Sequence, residues 1–122
     1  GKEPSFCVKE KAGRRTVWFG SPAISSDVLR RVLASSGVHV YDDSSDVVYV
    51  SPSFIAVHAA HDPPQIVRFP AKADVFDLLK EKVIARSATE VRLELPRLAT
   101  GLYFYGDLDQ LRREMEHAKA EQ

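Results

Sequence analysis

The spacing of apolar residues changes twice along this chain. Arg15-Thr16-Val17-Trp18-Phe19 is a short β-branched and aromatic run, preceded by a turn at Ala12-Gly13 and closed by Gly20, Ser21 and Pro22; it reads as a strand. Val28, Leu29, Val32 and Leu33 then recur at the helical interval and make one apolar face, with Arg30 and Arg31 on the other side. Ser25 or Ser26 can accept from the open amides of the first turn, and Gly37 closes the element as a left-handed cap. The pattern predicts a helix over 27–35.

After Gly37 the interval drops to two. Val38-His39-Val40-Tyr41 alternates, which puts His39 and Tyr41 on one face of an expected strand. Asp42-Asp43-Ser44-Ser45-Asp46 is a turn cluster. Val47 to Val50 and Phe54 to Ala59 read as two strands joined by a tight turn at Ser51-Pro52-Ser53, since proline cannot donate to a ladder. His61-Asp62-Pro63-Pro64 is the next turn, and Gln65-Ile66-Val67-Arg68-Phe69 is a strand stopped by Pro70. Asp74 to Val83 fits two patterns, an Asp74-capped helix carrying Val75, Leu78, Leu79 and Lys82 or a short extended piece; an irregular or single-turn helical segment is the preferred expectation. Val91, Leu93 and Leu95 alternate with charges and predict a half-wet strand. Thr100 to Tyr105 is the last strand. Gly106 breaks it, and Asp107 with Gln110 has the form of a capping box for a terminal helix with a narrow apolar stripe of Leu108, Leu111, Met115 and Ala118.

The sum predicts an α+β, mainly β fold: a small antiparallel β-sandwich or open barrel, with one N-terminal strand-helix unit and a C-terminal helix. The expected division is 1–37 for the strand-helix segment, 38–106 for the antiparallel β domain and 107–122 for the last helix. Gly1 to Pro4 is polar and expected to be loose, and Gly1 has the look of a scar left by tag removal.

The stretch from Ala12-Gly13-Arg14-Arg15-Thr16-Val17-Trp18-Phe19-Gly20-Ser21-Pro22 through the helix to Ser36-Gly37-Val38-His39-Val40-Tyr41 resembles the closing stretch of the flavodoxin-like trimerisation domain of bacterial beta-galactosidases. Phe54 to His58, Ile66 to Pro70, Asp74 to Leu78 and Thr100 to Phe104 are similar to the small all-β domain that ends those glycoside hydrolases. The resemblance covers roughly Gly13 to Gly106 and is made of strand-and-turn texture. It implies an accessory, non-catalytic role, because the TIM barrel that carries the family's two catalytic carboxylates has no counterpart in this sequence. It also implies an excised fragment or a free-standing relative, whose partners are other domains or subunits of a glycosidase-like protein.

Composition adds exclusions more than chemistry. The 122 residues can bury a core, and 44% hydrophobic with 28% charged residues is ordinary for a globular domain. Seventeen basic and 17 acidic side chains give a net charge of zero, so neither nucleic acid nor an anionic membrane is an expected partner. No apolar run approaches the length of a membrane span, and no signal peptide is expected at the start. The single Cys7 has no cysteine to pair with and no histidine close in sequence to activate it.

Acidic residues fall in turns (Asp42, Asp43, Asp46, Asp62) or on wet helix faces (Glu114, Glu116), so no catalytic pair is expected. His39, His58 and His61 could support a small hydrolase or a metal-dependent enzyme if they converged, but their placement on a strand, a strand end and a turn favours no metal site, and no cofactor is expected. The remaining candidates are aromatic. A sugar's C–H face packs on a flat ring while its hydroxyls take polar partners, so His39, Tyr41, Tyr103 and Tyr105 are the candidate carbohydrate-binding residues of an alternative reading, a carbohydrate-binding module. That reading needs Tyr103 and Tyr105 to share a wet face opposite Leu102 and Phe104.

Overall fold

Seven strands and two helices form in the computed structural model, which describes residues 6–21 and 23–122. The expectations for Gly1 to Pro4 and for Pro22 lie outside the described residues. The chain divides into two compact units, Gly1–Asp43 and Ser44–Gln122. The class is α+β and mainly β, and every strand pair is antiparallel.

In the first unit, β1 (Phe6–Lys11) pairs with β2 (Arg14–Phe19) from Phe6↔Phe19 to Lys11↔Arg14. The turn between them is Ala12-Gly13, and both residues have positive φ, 51° and 74°. Two consecutive left-handed residues are what a two-residue hairpin needs to match strand twist. The expectation of a lone strand at 15–19 is thereby extended: its mirror image, Phe6-Cys7-Val8-Lys9-Glu10-Lys11, lies on the other side of the same turn.

Helix α1 (Ser26–Ser35) follows, with Ser25 Oγ accepting from Val28 N at 3.3 Å. Its end is a Schellman motif: Gly37 N donates to Ala34 O at 3.1 Å and Val38 N to Leu33 O at 3.0 Å, with Gly37 at φ 83°. Val38 to Tyr41 is not a strand. The amide of Val38 is spent on the helix terminus, and no ladder partner takes up the segment, so alternation of side chains alone did not make a strand there.

The second unit is one open five-stranded sheet in the order β3-β4-β7-β5-β6. Its strands are β3 (Val47–Val50), β4 (Phe54–His58), β5 (Gln65–Asp77), β6 (Lys82–Leu93) and β7 (Thr100–Gly106). The last strand is central, paired with β4 from Phe54↔Phe104 to His58↔Thr100 and with β5 from Asp74↔Gly106 to Asp77↔Tyr103. Alternate residues Ile55, Val57, Val67, Phe69, Val75, Val91, Leu93 and Tyr103 fill the core. At ~25 cal/mol per Å² of apolar surface removed from water, this inner face is the main source of the unit's stability.

The segment 74–83 departs from expectation. β5 runs on to Asp77, the chain turns over 78–81, and β6 starts at Lys82. Asp77 makes the turn, its Oδ1 accepting from Leu79 N at 3.0 Å and Lys80 N at 2.9 Å. Such an Asx turn offers the amides a partner that a helix would have supplied otherwise. The expected strand at 91–95 is the end of the much longer β6. Register shifts between Arg68 and Phe76 mark bulges where the long β5–β6 hairpin bends.

Asp74 does not cap a following helix. Its carboxylate accepts from Ser87 N (2.9 Å) and Leu108 N (3.2 Å) and faces Arg86 at 3.2 Å, tying the β6 bulge to the start of α2 (Leu108–Ala120). The amide of Ser87, then that of Leu108, with help from the Arg86 charge, lowers its pKa against the opposing cost of burial. A carboxyl held below its unfolded value stabilises the fold above that value, about 3.9, and the contribution is lost as pH falls through the lower, folded value. Asp74→Asn is therefore expected to destabilise the chain at neutral pH, by an amount that shrinks in acid as the carboxyl is protonated. Urea denaturation at a series of pH values from neutral into acid checks it; an equal loss at both ends would contradict the assignment.

Asp107 caps α2 as expected, accepting from Asp109 N at 2.9 Å and Gln110 N at 3.0 Å. Gln110 turns along the helix, its Nε2 donating to Glu114 Oε1 at 2.9 Å.

Candidate functional site

His39 and Tyr41 lie in the irregular stretch after α1, with ring centroids 4.6 Å apart and planes at 89°. They do share a side, as a two-residue interval demands, although no strand holds them. Tyr103 and Tyr105 also share a face of β7, on which Tyr103 is buried and Tyr105 half-buried, while Phe104 on the opposite face is buried too. Tyr103 is 3% exposed, and its ring lies over Gly101, where a Cβ would come within 2.6 Å of Cε2. Burial, and next the Asp77 charge, push its phenol up to about 12. A ring this covered presents no flat surface to a sugar. Tyr105 stacks on Phe69 with centroids 4.9 Å apart and donates from its hydroxyl to Ser51 O at 2.5 Å. The expectation that these two tyrosines form a wet face is corrected: β4 and β5 flank β7 on both sides, and the alternation of Ile55, Val57 and Val75 sets the inward face to which Gly101 and Tyr103 belong. Leu102, on the opposite face, is the exposed one.

The histidines take separate partners in the second unit. His58 Nδ1 is 2.8 Å from Thr100 Oγ1 across the β4–β7 pair. His61 Nε2 is 3.2 Å from Asp46 Oδ2. The Asp46 side chain is fully covered and also accepts from Ala60 N at 2.7 Å and Ser44 Oγ at 2.9 Å, so the pair locks a loop crossing. Among the described residues no group of three His, Cys, Asp or Glu side chains could hold a metal ion. A recess of about 270 Å³ beside β6 is lined by Asp77, Glu94, Lys80, Arg92 and Tyr103 among others. Its two carboxylates are already occupied, Asp77 by turn amides and Glu94 by Arg92 at 3.4 Å.

The feature that stands out is apolar surface in the first unit. α1 is strongly amphipathic yet buries none of its residues, and Leu29 and Leu33 are exposed. Phe6, Val8 and Ile24 are exposed as well, and Trp18 is 58% exposed. Among the described residues of this unit no hydrophobic side chain belongs to the buried core. Phe6 and Phe19 meet across the hairpin with ring centroids 6.2 Å apart, and both line a depression with Ile24 and Val28. The signal was in the sequence: Phe6 and Val8 repeat the alternation of Val17 and Phe19 across the Ala12-Gly13 turn.

No family model, curated protein or solved structure matches this chain.

Proposed function

We propose that the chain is a non-catalytic accessory module that packs against other domains or subunits of a glycoside-hydrolase-like protein. The observation that carries the docking role is the unburied apolar surface of the first unit, with Phe6 and Trp18 on opposite faces of the hairpin and Leu29 and Leu33 on α1 all exposed. A two-stranded hairpin and one helix remove too little apolar surface from water to stabilise themselves. Trp and Phe exposed together on such a unit fit a surface completed by another polypeptide. The glycosidase assignment rests on the resemblance of Gly13 to Gly106 to the end of bacterial beta-galactosidases.

A Trp18→Ala, Leu29→Ser variant is expected to keep its unfolding free energy within about 0.5 kcal/mol of the parent, because neither side chain is packed away. The chain is also expected to release no nitrophenolate from p-nitrophenyl galactoside above the buffer rate. A loss of several kcal/mol in the variant, or measurable turnover, would overturn the reading.

A further inference from the structure

We propose that the outward face of the β1–β2 hairpin docks an acidic, extended segment of a partner protein. This inference rests on the docking role proposed above and names the chemistry of the partner.

The register sorts the hairpin into two unlike faces. Phe6, Val8, Glu10, Arg15, Val17 and Phe19 share one. The charged groups of that face are paired within the first unit: Arg15 pairs with Glu10 at 2.6 Å and donates from Nη1 to Ser35 O at 2.5 Å, at the end of α1. The other face carries Cys7↔Trp18, Lys9↔Thr16 and Lys11↔Arg14. All six of these side chains are exposed, and there is no carboxylate among them. In a chain of zero net charge, this face has three cations and an aromatic ring.

The cations are placed at a local cost. Lys11 and Arg14 sit directly opposite one another beside the turn, and like charges in that position destabilise a strand pair. Ala12 adds to it by taking a positive φ of 51° without being glycine. The facing cations give the hairpin nothing internal in return. An anionic ligand removes the repulsion and gains a charge-assisted bond from each cation. A depression of about 390 Å³ lined by Lys9, Lys11, Ala12, Arg14 and Thr16 gives such a ligand a seat.

Trp18 at the far end of the same face adds an apolar anchor of the kind that dominates protein interfaces. β1 and β2 are both edge strands, so an extended segment can also pair with backbone amides. Three cations with no wider positive field make a poor nucleic-acid surface, which needs many phosphate contacts.

The test uses the full chain and a fluorescein-labelled peptide alternating glutamate with leucine, read by anisotropy. Binding is expected, with a blue shift of Trp18 emission. It should weaken about tenfold or more in a Lys9→Glu, Lys11→Glu, Arg14→Glu variant, and in about 0.5 M against about 0.05 M NaCl. Reversal of Arg112 and Arg113 on α2 should leave it unchanged. No binding of the acidic peptide, equal binding by the hairpin variant, or tighter binding of a single-stranded oligonucleotide overturns this inference. None of those results touches the docking role, which fails separately if Trp18 and Leu29 prove to be packed or the chain turns over a glycoside.

Discussion

Replacing Gln65 with leucine is expected to lower the unfolding free energy by roughly 2–4 kcal/mol. Gln65 is fully buried at the start of β5. Its Nε2 donates to Leu95 O at 3.1 Å and to His61 O at 3.2 Å, and its Oε1 accepts from Leu95 N at 3.0 Å. One amide thus replaces two ladder bonds just where β6 has ended at Leu93, and it holds the loop before β5 as well. Leucine fills a similar volume, so the loss isolates the polar cost: one buried N–H and carbonyl oxygens left without their partner. Glutamate keeps the acceptor but adds a charge beside two carbonyls and should be at least as harmful near neutral pH. Chemical denaturation of the three proteins measures this; a leucine variant as stable as the parent would show that water replaces the amide freely.

Gly101→Ala is the second large effect, expected at about 1–3 kcal/mol. The backbone of Gly101 is ordinary extended strand, so the requirement for glycine is one of space. A methyl at this position would lie 2.6 Å from Cε2 and 2.7 Å from Cζ of Tyr103. The ring is only 3% exposed and lies between neighbouring strands, so making room for the methyl means displacing it from its packed position towards the recess beside β6. Tyr103→Leu should cost stability alone by opening a cavity. Combined with Gly101→Ala it should cost less than the sum of the two, since the smaller side chain yields the space the methyl takes. A double-mutant cycle by thermal denaturation decides it, and strict additivity would remove the proposed contact.

Much of the fold could be read from residue order where a local signal and the tertiary role agree. Ser25, Gly37 and the Val28–Leu33 interval define α1 because capping and C-terminal closure use only neighbours in sequence. Phe54 to His58 alternates because one of its faces lies on the core. The failures share the opposite property. Val38 to Tyr41 alternates with no strand to pair with. Asp74 has the composition of a helix cap, yet its amide partners, Ser87 and Leu108, lie far along the chain. The joining of 74–77 to the earlier strand, and of 82–90 to the later one, depends on the pairing of β5 with β6 through bulges that no short window contains.

The candidate site divides in the same way. Trp18 was identifiable as an aromatic in a short strand, and its exposure goes with its place on the hairpin face opposite Val17 and Phe19. Tyr103 could not be placed by alternation alone. A period of two states that Tyr103 and Tyr105 share a side, and it leaves open which side is wet until β4 and β5 are known to flank β7. Gln65 carried no warning, since a glutamine at the head of a strand is ordinary until the chain end it must satisfy has been located.

The position of β7 in the middle of the sheet also bears on how the protein is made. On the ribosome, β3–β4 and β5–β6 can each close as a hairpin of near neighbours, but nothing joins the two hairpins until Thr100 to Gly106 emerges. A nascent chain halted before that point presents two unjoined edges, β4 and β5, each with a ladder's worth of open amides and carbonyls and each rich in valine and isoleucine. Arrival of the last strand is then the step that turns two sticky ribbons into one sheet, and translation that stalls just ahead of it leaves the chain at its most prone to cluster with its siblings.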